Sequence, residues 1–497
     1  MFHWKVIIHV LGILMFICGV AILLSLPFSL YYDTAFEAEA YPVHQFTPWA
    51  ILYTSLGVML VGFLVWYFSR DGERQELKKR DGYVVVTFGW VLMALIGTLP
   101  YYVSGAIPSF TDAFFEAMSG FTTTGATILG QEIESLPMGL HFWRAMTHWL
   151  GGMGIIVLTI AILPLLGIGG MQLFAAEVPG PTPDKLTPRV RETARRLWII
   201  YVGLTALQAG LLMLGDMSFY EASCHAMATL STGGFSTSQA SLGGFGAYSQ
   251  YVVIVFMFLA GTNFALTYFA LRGKPMRLWE NEEFRWYLYS SLFLISLVTL
   301  IVYLRGEVGF EQAFRDSAFQ VVAIVTTTGF GTADFTAWGP FLLVLFFVLM
   351  FSGACAGSTS GGIKVARSIV VFKNSYLELK RQIHPKAILP VRLNGSAIQA
   401  EVVGKIVVFF LIFILLFILG AFVMSFLVKD FDTALGSVAA TLGNIGPGIG
   451  AVGPADPENF AAIPDLGKWF LSFLMLLGRL ELFTVLMILT PFFWKER

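Results

Sequence analysis

The stretch Phe110-Thr-Asp-Ala-Phe-Phe-Glu-Ala-Met-Ser-Gly-Phe-Thr-Thr-Thr-Gly125 carries a pattern that returns three times later in this 497-residue chain. Each copy has a Phe beside acidic or polar residues, a short apolar segment, and a tripeptide that ends in Gly. The Phe and the final Gly are 15, 14, 15 and 15 positions apart, which leaves room for about two and a half helical turns. We call these segments repeat loops 1 to 4, and we expect each to be a short re-entrant helix followed by an extended segment.

The four tripeptides are the candidate binding residues. Non-helical backbone at membrane depth is tolerated only where it is buried in protein or lines a water-filled path, so four such segments should meet around one axis. A cation filter needs this arrangement, because carbonyl oxygens replace the hydration shell of the ion and Gly lets successive carbonyls point inward. The chain has 50 Gly, so one match means little, but four matches in register favour a filter. The predicted filter residues are Thr123, Thr124, Gly125, Ser231, Thr232, Gly233, Thr327, Thr328, Gly329, Asn444, Ile445 and Gly446.

The composition places most of the chain in lipid. Apolar residues make up 56% of it and charged residues only 13%, which excludes an ordinary soluble domain. Three scattered cysteines, without metal-ligand spacing, exclude a disulfide framework and a zinc site. The sequence predicts an all-α integral membrane protein with about ten transmembrane helices, the first of which is not a signal peptide. The predicted spans are 4–30, 47–69, 83–104, 142–166, 196–215, 250–271, 286–304, 339–372, 402–428 and 467–494.

Lys and Arg are concentrated in alternate connections between these spans. This asymmetry is the positive-inside signature, and it places both termini in the cytoplasm. The net charge of −1, with no basic tail, gives no reason to expect a nucleic-acid partner. The basic connections are 70–80, 185–196, 272–285 and 364–405, and those without Lys or Arg include 31–46, 105–140 and 216–250.

An acidic residue lies near the start of the short helix predicted in each repeat loop. A carboxylate there complements the positive end of the helix dipole. We therefore interpret these residues as helix N-terminal caps in preference to ion ligands. They are Asp112, Glu221, Asp316 and Asp432.

The span 339–372 is longer than a bilayer needs, and small residues interrupt it at 353–362. Such a run does not hold a stable helix, so we expect an intramembrane loop that acts as a gate just below the filter. The alternative is a helix-packing interface rich in small residues. The predicted gate residues are Gly357, Ser358, Thr359, Ser360, Gly361, Gly362, Lys364 and Arg479.

Arg479 lies about twelve residues into the last span, near mid-membrane. A charge at this depth is costly and indicates function. The alternatives are a buried pair with Glu481 or a side chain that reaches the membrane surface.

Two other classes of protein compete with a pore. An intramembrane enzyme would use His141, His148, Glu116 and Ser231, but no catalytic motif joins them, and His148 and His225 read as packed polar residues. An alternating-access symporter also has broken helices, but many such transporters have inverted repeats. Here all four repeat loops enter from one side.

On these residues, the chain resembles the Trk/Ktr/HKT superfamily of potassium transporters over nearly its whole length. The two helices before repeat loop 1 are similar to the leader of its TrkH-type branch. Further resemblance is carried by Gly353-Ala-Cys-Ala-Gly-Ser-Thr-Ser-Gly-Gly-Ile-Lys364-Val-Ala-Arg, by Leu377-Glu-Leu-Lys-Arg-Gln-Ile-His384-Pro385, and by Glu177-Val-Pro-Gly-Pro ahead of Lys185-Leu-Thr-Pro-Arg189.

The resemblance implies four fused helix–pore-loop–helix repeats around a central pore, preceded by a two-helix leader. It implies potassium uptake, with Gly at all four final filter positions as in potassium-selective members. Repeat loop 4 departs from the Thr-rich pattern, and its Pro447 lacks a backbone donor, which favours looser selectivity. The implied units are 1–70 (leader), 83–166, 196–271, 286–372 with the gating loop, and 402–494.

The resemblance also implies a setting and partners. The chain would lie in the bacterial cytoplasmic (inner) membrane as a homodimer, with Arg479 as a cation-repelling latch beneath the filter. A cytoplasmic nucleotide-binding ring of the TrkA/KtrA type would regulate it, with the connections 185–196 and 364–405 as docking surfaces. Potassium would be the cargo, no organic cofactor is expected, and passive and ion-coupled transport both stay open.

Overall fold

The computed structural model describes residues 2–35, 42–70, 79–154, 190–454 and 459–495, and nearly all of its regular structure is helical. A two-stranded antiparallel hairpin pairs Arg392–Leu393 with Ser396–Ala397. The helices are Trp4–Leu23, Leu26–Tyr32, Pro42–Phe68, Lys79–Ser104, Phe110–Phe121, Met138–Trp149, Val190–Leu212, Phe219–Leu230, Ala247–Ala260, Phe264–Leu271, Met276–Glu280, Glu282–Leu304, Phe310–Val325, Pro340–Leu349, Val365–Ile383, Ala400–Ser425, Phe431–Gly443, Asp465–Arg479, Phe483–Leu489 and Pro491–Trp494.

Within the described residues, five helical segments are long and apolar enough to cross a membrane, and two sharply bent helix pairs raise the number to seven. The five match the predicted spans 4–30, 47–69, 83–104, 286–304 and 402–428, and the bent pairs match 250–271 and 467–494. The predicted span 196–215 is the helix Val190–Leu212, while 142–166 runs beyond the described residues. The chain is therefore an all-α membrane protein, and the count of about ten spans stays a prediction.

The helix that follows each repeat loop is interrupted, which the sequence indicated only for 339–372. In two cases the chain bends sharply, by 108° after Ala260 and by 119° after Arg479. The helix Met138–Trp149 changes to a π-helix at Leu150–Gly154, and Pro340–Leu349 gives way to a non-helical segment. Pairs of small residues and π-turns are ordinary causes of such breaks. These interruptions allow the chain to approach the axis below the repeat loops.

The first helix packs closely on the helix Pro42–Phe68. A side chain at Gly12 would meet the backbone of Trp66, and one at Gly62 would meet the backbone of Phe16. Small residues that bring two helix backbones together are typical of packing within membranes. The pair lies within residues 1–70, the range predicted as a leader.

The two ends of the described chain lie on the same side of the protein. The ring of Phe2 is 5.7 Å from that of Phe493 and 5.1 Å from that of Trp494, and Trp4 stacks on Trp494 at 6.5 Å. Residues near both ends of the described chain therefore pack against each other.

Candidate ion pathway

The short helices of the repeat loops begin at well-formed caps. Ser218 and Glu221 form a reciprocal capping box, the Ser109 hydroxyl accepts a hydrogen bond from the Asp112 amide, and Asp430 accepts one from the Thr433 amide. A polar side chain at this position satisfies a helix amide that has no partner inside the helix. The helix of repeat loop 3 begins at Phe310, one turn earlier than predicted.

The acidic residues near these starts therefore have different roles. Glu221 is a cap, as predicted, and Asp112 and Asp432 lie in the first turns of their helices. Asp112 also forms an ion pair with Lys468 at 2.5 Å. The cap prediction is wrong for Asp316, because the earlier start of its helix leaves this residue in the second turn.

Each short helix ends at a residue in the left-handed conformation. These residues are Thr123, Thr232, Thr327 and Asn444, with φ values of 50°, 54°, 56° and 54°. The amide that follows donates back to a carbonyl five residues earlier, as from Thr124 to Ser119 at 2.9 Å and from Ile445 to Ala440 at 2.9 Å. This pattern belongs to the Schellman motif, which satisfies the last helix carbonyls and turns the chain away from the helix axis. Left-handed Thr is strained, and such strain concentrates at functional sites.

In repeat loop 2, the tripeptide with the same backbone conformation as the other three lies one residue later than predicted. The tripeptide equivalent to the other three is Thr232-Gly233-Gly234, since Thr232 is left-handed and Gly234 has φ 82°. Ser231, predicted as the first filter residue, is the helix C-cap, and its hydroxyl donates to the Met227 carbonyl at 2.7 Å. The choice of Gly233 as the final glycine is wrong in register. With Gly234 as the final glycine, the spacing from Phe219 becomes 15 positions, as in the other three loops.

The four final glycines form a closed ring of contacts. A side chain at Gly125 would overlap the carbonyl oxygen of Gly233, and one at Gly234 would overlap that of Thr328. The same relation joins Gly329 to Ile445 and, at 2.9 Å, Gly446 to Thr124. Each repeat loop thus touches the middle carbonyl of the next, and repeat loop 4 returns to repeat loop 1. The predicted meeting of four loops around one axis is present in the structure.

An open cavity lies on one side of this ring. All four final glycines line it, together with Thr127, Ser236 and Pro447. Arg144 is the one charged side chain among the described residues that line it. We call this cavity the vestibule, and most of its lining comes from the segments that follow the tripeptides.

Some hydroxyl groups of the tripeptides form hydrogen bonds with other hydroxyl groups. The Thr124 hydroxyl lies 2.8 Å from that of Thr122, and Thr328 has the same relation to Thr326 at 2.7 Å. Asn444 fills the Thr position of repeat loop 4, and its amide nitrogen donates to the Thr124 hydroxyl at 2.9 Å. Repeat loop 4 therefore closes the ring through a side chain as well as through backbone.

The predicted intramembrane loop lies directly beneath the ring. The Gly361 amide donates to the Thr327 hydroxyl at 2.6 Å, and the Thr359 hydroxyl donates to the Leu230 carbonyl at 3.0 Å. A side chain at Gly361 would contact Asn444. The run 353–362 is non-helical, which removes the helix-packing alternative.

Glu283 fastens both ends of this intramembrane loop. Its Oε1 accepts hydrogen bonds from the amides of Ala356 at 2.7 Å and Ala366 at 3.0 Å. The carboxylate is buried at the start of the helix Glu282–Leu304. A carboxylate that accepts from two backbone amides forms a strong, charge-assisted clasp. The sequence did not reveal Glu283, because its partners are backbone groups 73 and 83 positions away.

Arg479 joins the intramembrane loop to the break after Met138–Trp149. Its guanidinium donates to the Thr359 carbonyl at 2.8 Å and to the carbonyls of Gly151 and Gly152 at 2.7 and 3.0 Å. The Glu481 carboxylate, considered from sequence as its partner, pairs with Arg367. Carbonyl oxygens that converge on a partly buried guanidinium satisfy several of its donors.

Lys364 closes the intramembrane loop on itself. Its buried ammonium donates to the Ser360 carbonyl and lies 3.3 Å from the Ser360 hydroxyl. The residues predicted as a gate, including the cationic Lys364 and Arg479, are thus close together beneath the ring of repeat loops.

The residues considered for an intramembrane enzyme do not form one cluster, because each contacts a different partner. Glu116 pairs with Arg144 at 2.6 Å, and His148 Nδ1 lies 2.8 Å from the Gly120 carbonyl. His141 Nε2 is 2.6 Å from the Ile133 carbonyl. Arg144 was missed from sequence, although a basic residue within an apolar helix on the Lys/Arg-poor side was a usable signal.

Comparisons with known proteins agree with this architecture. The family model for TrkH, described as a cation transport protein, matches residues 51–495. The Trk system potassium uptake protein TrkH of Escherichia coli K12 is 39% identical, covering 99% of this chain and all of that protein. The Trk system potassium uptake protein TrkG of the same organism is 33% identical, over 99% of each chain.

A solved structure extends the similarity to three dimensions. The crystal structure of the potassium transporter TrkH from Vibrio parahaemolyticus has a TM-score of 0.86 and 36% identity, covering 99% of this chain and all of that one. Full-length similarity at this identity, joined to the family match, leaves no alternative fold. The chain belongs to the TrkH family of cation transport proteins.

Proposed function

We propose that this chain carries potassium into the cell through the ring of repeat loops, which act as its selectivity filter. The observation that carries the proposal is the closed ring in which each final glycine abuts the middle carbonyl of the next loop. Backbone carbonyls arranged around an axis can replace the hydration shell of a potassium ion. The potassium uptake named for its relatives supports the choice of cargo. An enzyme is set aside, because the family transports cations.

The sense of the ring favours a pore over an alternating-access symporter. The contact runs in one direction, from Gly125 to Gly233, from Gly234 to Thr328, and onward around the axis. A rotation axis along the pore generates such a cycle, whereas inverted repeats would reverse its sense halfway. The division into a leader, 1–70, and repeats 83–166, 196–271, 286–372 and 402–494 follows from this symmetry. Residues 155–189, including the motifs at 177–189, lie outside the described part of the chain.

The filter is proposed to hold ions at two levels. Middle carbonyls, as at Thr124 and Thr328, would line its upper part, where Gly lets the backbone take left-handed turns. The left-handed residues below, Thr123 and Thr327 among them, would offer carbonyl oxygen at the inner mouth. Asn444 breaks the fourfold pattern, so selectivity is proposed to be looser than in a fourfold-identical filter.

The intramembrane loop is proposed to close the inner mouth. It reaches the filter residue Thr327 through Gly361 and is held from the side by Arg479. Two cationic groups, Arg479 and Lys364, also repel a cation arriving from the filter in this closed arrangement. Opening would require the loop to leave both contacts.

A regulatory partner is proposed to control this loop from the cytoplasm. The helix Val365–Ile383 continues directly from the loop and carries exposed Lys380, while the hairpin that follows carries exposed Arg392. A nucleotide-binding ring that docks on 364–405 would pull on the loop. The proposed assembly is a homodimer in the inner membrane of a bacterium, with both termini cytoplasmic, as the packing of the two ends against each other supports.

Purified protein in potassium-loaded liposomes tests the function. An imposed potassium gradient, in vesicles without valinomycin, should produce a membrane potential close to the potassium equilibrium potential, read with a voltage-sensitive dye. Matched vesicles with a sodium gradient alone should give a smaller potential. Transport that stops unless protons or sodium move with potassium would support the symporter instead.

A further inference from the structure

Each repeat-loop helix has a polar side chain at an equivalent position, and most of these side chains contact the segment after the filter. Nine residues before the final glycines Gly125, Gly234, Gly329 and Gly446, the chain has four different polar residues. All four are buried. They are Glu116, His225, Gln320 and Ser437.

Three of these side chains bond to the chain just beyond their own filter tripeptide. Glu116 accepts hydrogen bonds from the Thr127 hydroxyl at 2.9 Å and from the Ile128 amide at 3.0 Å. His225 Nε2 lies 2.9 Å from the Ser236 hydroxyl, and the Gln320 side chain donates to the Ala333 carbonyl at 2.8 Å. Each therefore ties the helix before the filter to the segment after it. We call this position the brace.

In repeat loop 4 the side chain at the brace position, Ser437, bonds within its own helix. The Ser437 hydroxyl donates to the Ala434 carbonyl of its own helix at 3.3 Å. The neighbouring Gly436 instead packs against the backbone of Ile449, and the Thr433 hydroxyl accepts from the Ala451 amide at 2.8 Å. The brace position thus differs in chemistry from one repeat loop to the next.

The brace of repeat loop 1 extends to repeat loop 2 through Arg144. Glu116 is fully buried, and Arg144 is 2% exposed. The Arg144 Nε donates to Glu116 at 2.6 Å, and its Nη1 donates to the Ser236 carbonyl at 2.8 Å. Its guanidinium also covers the ring of Phe235, at 3.5 Å. One buried ion pair therefore fixes the segments that follow both Gly125 and Gly234.

We infer that Glu116 and Arg144 are positioning residues for ion selectivity, which hold the filter at the junction of repeat loops 1 and 2. The inference rests on the proposed filter. Carbonyl groups discriminate between cations only while their spacing is maintained, and a charge-assisted network in a low-dielectric site resists displacement more than neutral hydrogen bonds do. The pair bonds to the segments that follow two tripeptides, so it acts on the filter through these segments, and Arg144 also presents its charge to the vestibule.

The test compares the potassium-to-sodium permeability ratio, from reversal potentials in planar bilayers, for Glu116→Gln, Arg144→Met and the double variant. Glu116→Gln should lower the ratio by about tenfold, the effect of one charge-assisted contact. Arg144→Met should also lower protein yield and thermal stability, because it leaves a buried carboxylate without its cation. The double variant should recover stability, because neither charge remains, but its permeability ratio should stay low, since the bond to Ser236 is missing.

Ser437→Ala serves as the matched control. Ser437 is at the brace position of repeat loop 4 but bonds only to its own helix in the described structure. This variant should leave the permeability ratio unchanged. An unchanged ratio in Glu116→Gln, or a ratio that recovers together with stability in the double variant, would overturn the inference. Failure of the unaltered protein to conduct potassium would count against the proposed function instead, so the two failures are distinguishable.

Discussion

The Arg479 guanidinium donates a hydrogen bond of 2.8 Å to the carbonyl of Thr359, in the middle of the intramembrane loop. The same guanidinium holds Gly151 and Gly152 at the break of another helix. One side chain therefore ties the loop beneath the ring of repeat loops to the break after the helix Met138–Trp149. This contact gives the proposed gate a physical basis.

Removing this tie should open the pathway. Arg479→Ala eliminates the bonds to Thr359 and to Gly151 and removes a cation from the inner mouth. We expect potassium flux into liposomes, without any partner, to rise by about tenfold or more, which corresponds to roughly 1.4 kcal/mol in the closed state. Deletion within 357–362 should have a similar effect.

Arg479→Lys is the control for charge. Lys keeps the positive charge but cannot reproduce the forked donor geometry of Arg. An intermediate flux indicates that both charge and geometry matter. Flux equal to that of the unaltered protein in Arg479→Ala and in the deletion variant would remove the gate.

The clasp at Glu283 gives a second prediction about the gate. Glu283→Ala leaves the amides of Ala356 and Ala366 without the acceptor that now binds them, which frees both ends of the loop. Basal potassium flux should rise severalfold. Glu283→Gln retains an acceptor oxygen and should change flux much less, so equal effects of the two variants would contradict the clasp.

In Arg479→Ala protein, the further change Glu283→Ala should add little. Both substitutions release the same loop, and effects on one element are not additive. A multiplicative rise in flux would indicate two separate barriers.

The register of repeat loop 2 can be tested with two small substitutions. Gly234→Ala places a side chain against the Thr328 carbonyl at a backbone φ of 82°, so potassium flux should fall by about tenfold or more. Ser231→Ala removes only a hydroxyl that bonds to its own helix and should leave flux nearly unchanged. The opposite order of effects would restore Ser231 as the first filter residue.

The ion pair between Asp112 and Lys468 predicts an effect on stability without an effect on selectivity. It joins the helix of repeat loop 1 to the helix Asp465–Arg479, and the Lys468 side chain is almost fully buried. Lys468→Met should lower the free energy of unfolding by about 1–3 kcal/mol, because Asp112 loses its cation. The loss should be measurable as a lower thermal midpoint. Asp112→Asn in the same chain should restore most of that loss. A changed potassium-to-sodium permeability ratio would show that this pair also shapes the filter.

Much of this architecture was predictable from sequence because it repeats. Four tripeptides at nearly constant spacing indicated both the short helices and the ring, and the break at 353–362 was visible as a run of small residues. The register of repeat loop 2 was missed because Gly233 and Gly234 are adjacent, and only backbone conformation tells them apart. The sharp bends after Ala260 and Arg479 were missed because apolar composition continues through them.

Side-chain partners far apart in sequence were the least predictable part. Glu283 and Glu116 act through amides, hydroxyls and a guanidinium whose positions depend on the assembled fold. The charge of Arg479 was recognisable as unusual because it interrupts an apolar span. Its bonds to Thr359 and Gly151 required the three-dimensional structure.

The most direct measurement is the reversal potential of the purified protein with potassium on one side of a bilayer and sodium on the other. The ring of repeat loops predicts a clear preference for potassium, which Gly125→Ser should reduce or abolish, because the new side chain overlaps the Gly233 carbonyl. A reversal potential near zero for the unaltered protein, or a preference untouched by Gly125→Ser, would contradict a potassium filter at this ring.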